Sequence, residues 1–383
     1  MQERRERNPE LSTEEELRTG RQIVELYRAW HVVEQDQPDG HKIDGVDFDI
    51  VNDDYEKIQV SSRQETIGRF ETMAQGITPS TPALEFFQDK LISSATFLRV
   101  LEGEQFSLSE YTERTLGIIP SYEREESLII QKEKTDEAIT NLGYKSTPQG
   151  YRQFFSENLL DEEEITTDFN EAKEKFNQII TSALGLSHLL PLDYRLHFVH
   201  KDAYWICWIK GSRSGFDFEV NLHQRNLIRW FKGNPEFLAV HEMGGHLIQA
   251  LRWRENISKG RINPGYGVTS IPGPEQWVCE GMAEALVKLV PEVYNQMSDY
   301  GRFAFEVTHL RDLVFNNVHI LVNSGDYSLP DIKDYIWRYL PPAMGADFLF
   351  ELPVNLVPKV LSLQKVFMKS QCLQNRPKNF LMN

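Results

Sequence analysis

Apolar residues recur at intervals of three and four along most of the chain, the period of one helical face. STEEELRTGRQIVELYRAWHVV, from Ser12, offers an N-cap followed by acidic residues, which predicts a helix start. TPALEFFQDKLISSATFLRVLEGE, from Thr81, has the same spacing and ends near a glycine. SLSEYTERTLGIIP predicts a short helix stopped by Gly117 and Pro120. ESLIIQKEKTDEAITNLGY and TTDFNEAKEKFNQIITSALGL predict two more. The acidic run Asp161–Glu164 reads as a solvated helix start rather than a metal-binding box. DGHKIDGVDFDIVNDD is polar and glycine-containing, and reads as a loop.

Between residues 190 and 225 the period shortens. YRLHFVHKD and YWICWIKG are rich in aromatic and β-branched residues, as strands prefer. GSRSG interrupts them, and FDFEVNLH then alternates apolar and polar positions. The spacing predicts a small antiparallel sheet whose last strand covers Phe216–His223. Helices resume at Pro235. The fold class is therefore mostly α with a small antiparallel β-sheet, an α+β arrangement. A helical region 1–185 precedes a region 186–383 of sheet plus helices. No Pro/Gly/Ser linker separates them, so one integrated unit with two lobes is expected.

Composition narrows the function. The 383 residues carry a formal net charge of −16, with a sequence pI of about 5.2. Nucleic-acid binding needs a basic face, and the RRER cluster near the N-terminus is too short to provide one. No apolar run reaches the ~18–20 residues of a membrane helix, and MQERRERNPELS has no secretory core. The three cysteines, Cys207, Cys279 and Cys372, fit neither a disulfide framework nor a cysteine-rich zinc site. These features point to a soluble protein of a reducing compartment, most simply the cytoplasm.

The chemistry concentrates in FLAVHEMGGHLIQA, residues 237–250, where His241 and His246 stand five apart and Glu242 follows the first. At about 100° per residue, histidines five apart diverge by about 140° on an α-helix. A wider π-type turn with i→i+5 bonding brings them back to one face, and such turns gather at functional sites. Gly244 and Gly245 stand where the backbone must distort or a neighbour must approach. Each costs roughly 1 kcal/mol against Ala in a helix interior, so the pair calls for an explanation. A core helix with two unrelated histidines is the other reading of this stretch. PGPEQWVCEGMAEALVKLVPE, residues 272–292, then presents Trp277, Glu280, Gly281, Ala283 and Glu284 on a helix, with Glu284 one turn after Glu280. Glu280 can alternatively be a buried carboxylate paired with Arg252 or Arg254.

HEMGGH followed by WVCEGMAE resembles the gluzincin metallopeptidases, with one residue added between the histidines. The six-residue motif is similar to that of the microtubule-associated tyrosine carboxypeptidase family and related bacterial proteins. FLRVLEGEQFSLSEYTERTLGI resembles helical bacterial metallopeptidase-like proteins, and the wider similarity runs over residues 80–350. The resemblance implies a two-lobed gluzincin-like fold in which His241, His246 and Glu280 bind zinc and Glu242 is the general base. His-His-Glu with one open position suits catalytic zinc. It implies hydrolysis of peptide bonds in a peptide or protein substrate. The carboxypeptidase relatives add the need for a cation at the substrate carboxylate, from among Arg213, Arg252, Arg254, Arg261 and Arg311.

Further candidates remain open. His309, Arg311, His319, Tyr327 and Tyr335 are available as oxyanion donors, each equally readable as a surface or core residue. In the gluzincin arrangement an edge strand aligns the peptide by β-addition, and FDFEVNLH, ending at Asn221 and His223, is either that strand or a plain sheet strand with its polar residues outward. The loop SKGRINPGYGVTSIPGPEQ, residues 258–276, with Tyr266 at its centre, can cover a cleft or simply connect two helices. His188, His197 and His200 read as structural. Cys279 admits a cysteine-hydrolase reading, if exposed beside a histidine base. A non-catalytic metal-binding scaffold and a metal-free helical interaction module complete the alternatives.

Overall fold

The computed structural model describes residues 12–37, 45–201, 205–224, 230–324 and 327–340. The RRER cluster, Cys372 and the last part of region 186–383 lie outside these residues. What is described is mostly helical, with one small sheet, so the chain is α+β. Contacts divide it into two compact units.

The first unit draws on Met1–Glu104, Lys210–Gly215 and Ala250–Pro274. Helix α1, Glu14–Gln35, is capped by Thr13 rather than Ser12. The Thr13 hydroxyl accepts from the Glu16 N–H, and the Glu16 carboxylate accepts from the Thr13 N–H, so two orphan donors are satisfied. Helix α2, Arg63–Gly76, and α3, Pro82–Leu101 with its Thr81 cap, complete the helical part. Tyr27 and Trp30 of α1 meet Phe70 of α2 edge-on at 5.2 and 5.6 Å. The segment read as a loop, residues 39–54, contains a short strand β1, Phe48–Asp49, too brief to leave a pattern. It pairs antiparallel with β5, Val268–Thr269. The loop 258–276 is anchored here: Asn263 donates to the Glu16 carbonyl, and Tyr266 packs between the rings of Phe86 and Phe87.

The second unit draws on Gln105–Ile209, Phe216–Gln249 and Glu275–Asn383. Helix α4, Leu108–Leu116, has a Ser107–Glu110 capping box and ends at Gly117, whose φ of 69° is the left-handed value that favours glycine. Helices α5, Glu125–Asn141, α6, Pro148–Glu157, and α7, Glu162–Ala183, follow. Asp161 caps α7 and Glu164 caps it in return, so the acidic run is a helix start. A long helix, Asp299–Ser324, packs on α5, where Gln131 donates to the carboxylate and carbonyl of Glu306.

The remaining strands are β2, Arg195–Val199, β3, Cys207–Ser212, and β4, Gly215–Asn221, giving the order β2-β4-β3-β1-β5. β3 and β4 form a hairpin closed by a two-residue turn at Arg213 and Ser214. β2 pairs with β4 in parallel, from Arg195 opposite Asp217 to Val199 opposite Asn221. The sheet is therefore mixed, not antiparallel. β2 and β3 are consecutive in the chain but not neighbours, because β4 lies between them. β4 lies between β2 and β3, so FDFEVNLH is an interior strand and has no free edge for a peptide. Phe216, Phe218 and Val220 alternate into the core, and Phe218 stacks on Phe169 of α7 at 5.4 Å. Among the described residues no helix is long and apolar enough to cross a membrane.

Candidate metal centre

Residues Ala239–Leu247 form a π-helix, entered from Asn234–Leu238 and continued by Ile248–Ser258, both α-helical. The widened turn puts His241 and His246 side by side, ring centroids 4.9 Å apart and planes at 86°. Sequence alone required such a turn if the two imidazoles were to converge.

The paired glycines let the π-helix meet its neighbours. A Cβ on Gly245 would overlap the Cβ of Ala283 and stand 2.6 Å from its Cα. Ala283 belongs to the helix Glu275–Leu289 that carries Glu280 and Glu284. A Cβ on Gly244 would strike Ile180 of α7 and approach Leu286 to 2.8 Å. The glycines thus permit backbone-to-helix contact where a side chain would force the two helices apart.

That approach delivers Glu280 to the histidines. One carboxylate oxygen lies 3.7 Å from His241 Nε2, and the other lies 3.8 Å from His246 Nε2. One ligand atom from each of the three residues falls within 4.8 Å of the others. Two donors bound at ~2.1 Å to one tetrahedral ion stand about 3.4 Å apart, so the spacing suits an ion better than direct hydrogen bonds. One turn on, Glu284 Oε1 lies 3.2 Å from His241 Nδ1. That places a carboxylate on the Nδ1 side of the ring whose Nε2 faces Glu280.

Burial sharpens the argument. Glu280 is 4% exposed, Glu284 1% and His241 2%. Two carboxylates in so dry a place need compensating positive charge. Two imidazoles and one carboxylate, with a second carboxylate behind the first histidine, form a donor set that could hold a metal ion. His246 and Glu242 are half-buried, so the group opens on one side. Among the described residues no hydrogen bond or ion pair engages Glu242.

The other candidates divide clearly. His309 and His319 are both buried on the helix Asp299–Ser324, and burial pushes each to about 3. Arg311 turns to Asp312, and Tyr335 receives a bond from Asn317. Tyr327 is exposed. Arg213 pairs with Asp54 and Arg252 with Glu255, which leaves neither arginine uncommitted. The buried Asn221 bonds the backbone of Lys201, Trp205 and His223, so it holds a strand end. His197 pairs with Asp217 and His200 with Glu162. Cys279 is half-buried and Cys207 buried. Sequence reasoning noticed Glu284 but gave it no role, although its four-residue spacing from Glu280 was the available signal.

No protein family matches the chain. No curated protein matches it either. Among solved structures, it is similar to the crystal structure of a "putative lipoprotein" from Colwellia psychrerythraea, with a TM-score of 0.50 and 10% identity. The match covers 82% of this chain and 58% of that one, so the chain spans little more than half of that protein. At this identity the likeness concerns the fold alone. The centre itself is a group of two histidines and a glutamate, drawn from two helices and able to hold a metal ion.

Proposed function

We propose that the protein is a zinc-dependent peptidase of gluzincin type, in which His241, His246 and Glu280 hold the ion and Glu242 is the general base. The observation that carries this reading is the convergence of the three donors, with Glu242 directly after the first. When bound, zinc would supply Lewis acidity, lowering the pKa of a water molecule and polarising the scissile carbonyl. Glu242 takes a proton on its carboxylate from the attacking water and passes it to the leaving amine. Its half-exposed, uncommitted position suits that exchange. Glu284 holds a carboxylate beside the His241 imidazole, on the side away from Glu280. A site that only stabilised the fold would use a fourth protein ligand and would need no carboxylate beside the first histidine. The carboxypeptidase option follows from the tyrosine carboxypeptidase resemblance alone.

The test combines metal analysis with one substitution. The purified protein is expected to hold about one zinc per chain. Glu242→Gln should retain that zinc and lose peptide hydrolysis by about a hundredfold or more. Zinc retained with no hydrolysis in either protein would favour a non-catalytic metal-binding scaffold. Undiminished hydrolysis in the variant would remove Glu242 from the reaction.

A further inference from the structure

Apart from the metal centre, the second unit holds a cleft of about 430 Å3 between α5 and the first turns of the helix Asp299–Ser324. Small-ligand sites begin near this size. One wall is a single face of α5, where Lys134, Glu137, Ala138 and Asn141 follow at three- and four-residue steps. The opposite wall carries Asp299, Arg302 and Glu306, and Tyr294 is also part of the lining.

The charges of the cleft fall into two groups. Arg302 is committed: it donates to Asp299 at 2.9 Å and to the carbonyls of Tyr294 and Asn295 at 3.3 Å. It braces the wall and has little left for a ligand. Glu306 is 8% exposed, accepts from Gln131 at 2.6 Å, and keeps its other oxygen 3.4 Å from the Tyr294 hydroxyl. Lys134 and Glu137 differ. No hydrogen bond or ion pair engages either among the described residues, although their three-residue spacing would let them pair. The cleft therefore presents one uncommitted ammonium, one uncommitted carboxylate, and two carboxylates, Asp299 and Glu306, that already have partners. Ala138 and Tyr294 also line it.

We propose that this cleft binds a zwitterion, a free α-amino acid with an aliphatic side chain. Its carboxylate meets the Lys134 ammonium, and its ammonium meets Glu137 and Glu306. Its side chain lies against Ala138 and the Tyr294 ring. A ligand with both charges on one carbon fits a cation and an anion one helical turn apart, whereas a singly charged ligand leaves one of them unmatched. The proposal stands apart from the peptidase reading, since none of these residues belongs to the metal centre.

Titration calorimetry with L-leucine tests it, using the Glu242→Gln protein so that turnover plays no part. Saturable binding at one site per chain is expected. L-Leucinamide lacks the carboxylate and 4-methylpentanoate lacks the ammonium, and each should bind about tenfold weaker or worse. Lys134→Met and Glu137→Gln should each weaken leucine by about tenfold, both being exposed residues whose change leaves the fold intact. Ala138→Trp, which fills the cleft, should abolish binding. Absence of binding at millimolar leucine, equal affinity for the three compounds, or leucine binding unchanged in Lys134→Met and Ala138→Trp would each overturn the proposal. Because the readout is binding, a protein without peptidase activity still gives a decisive answer.

Discussion

At Gly245 the helix that carries both histidines has no side chain, because Ala283 already fills that space. Two effects oppose each other when a methyl is added. Ala is favoured over Gly in a helix by roughly 1 kcal/mol. Overpacking against a fixed backbone costs typically 1–3 kcal/mol. The obstacle at Gly245 includes the Ala283 Cα, which cannot step aside, so Gly245→Ala should destabilise by about 1–2 kcal/mol and weaken zinc binding. At Gly244 the obstacles are the flexible ends of Ile180 and Leu286, so Gly244→Ala should cost less, near zero. Urea midpoints and competition with a chromogenic chelator measure both quantities. Adding Ala283→Gly should restore the Gly245→Ala protein; failure to do so would mean that the contact is not the reason for the glycine. Glu284→Gln addresses the neighbouring residue. It keeps the shape but removes the charge beside His241 Nδ1, and zinc affinity should fall about 10–100-fold. Unchanged affinity would leave Glu284 as a packed acid without influence on its histidine. The pair His241 and His246 was legible because its spacing is local, whereas Glu280 was reached through the resemblance of its motif. The partner of Gly245 was not, because it lies on another helix.

Elements show a similar division. Caps are written in a few residues, so Thr81 and Asp161 mark their helices plainly, and Gly117 marks an end. Helix α2 escaped notice because only Ile67, Phe70 and Ala74 carry its apolar stripe. Alternation in β4 shows which residues face the core, but it does not name the strand on either side. That is why an interior strand could be read as an edge. The helix Asp299–Ser324 was clear from its period, yet the depth of its histidines was not. Burial holds His309 and His319 near 3, well below the ordinary 6.5, and near His309 the Lys288 and Lys134 charges act in the same direction while Glu284 opposes them. Between pH 6.5 and 3 the unfolded chain therefore binds protons that the folded chain refuses. Each histidine's contribution is complete above about pH 6.5 and is lost as pH falls toward 3, at up to ~1.4 kcal/mol per pH unit. Urea unfolding at pH 7 and pH 5, with chelator present to silence the metal centre, should show this decline. His319→Leu should flatten it, and an equally steep slope in that variant would place the proton uptake elsewhere.

Over the whole molecule, each compact unit is assembled from three separated stretches of chain. Periodicity describes a segment's own faces and does not tell which distant segment will cover them, so this organisation had no local signature. It does have a thermodynamic consequence. His241, His246 and Glu280 all belong to the second unit, and they join the π-helix to the helix Glu275–Leu289. An ion bound by the folded state alone stabilises it by about 2.7 kcal/mol when the free metal is at 100 times its dissociation constant. Removing it should also take the ion's positive charge away from two buried carboxylates. Chelation should therefore raise hydrogen exchange in Ala239–Leu247 and Glu275–Leu289. The amides of α2 and α3 in the first unit should keep their protection. Exchange measured with and without chelator, and after zinc is restored, reads this directly. If protection is unaffected by chelation, the buried carboxylates are compensated within the protein and no ion is needed to hold the two helices together. If it falls equally in both units, the metal supports global folding and not the junction of these two helices.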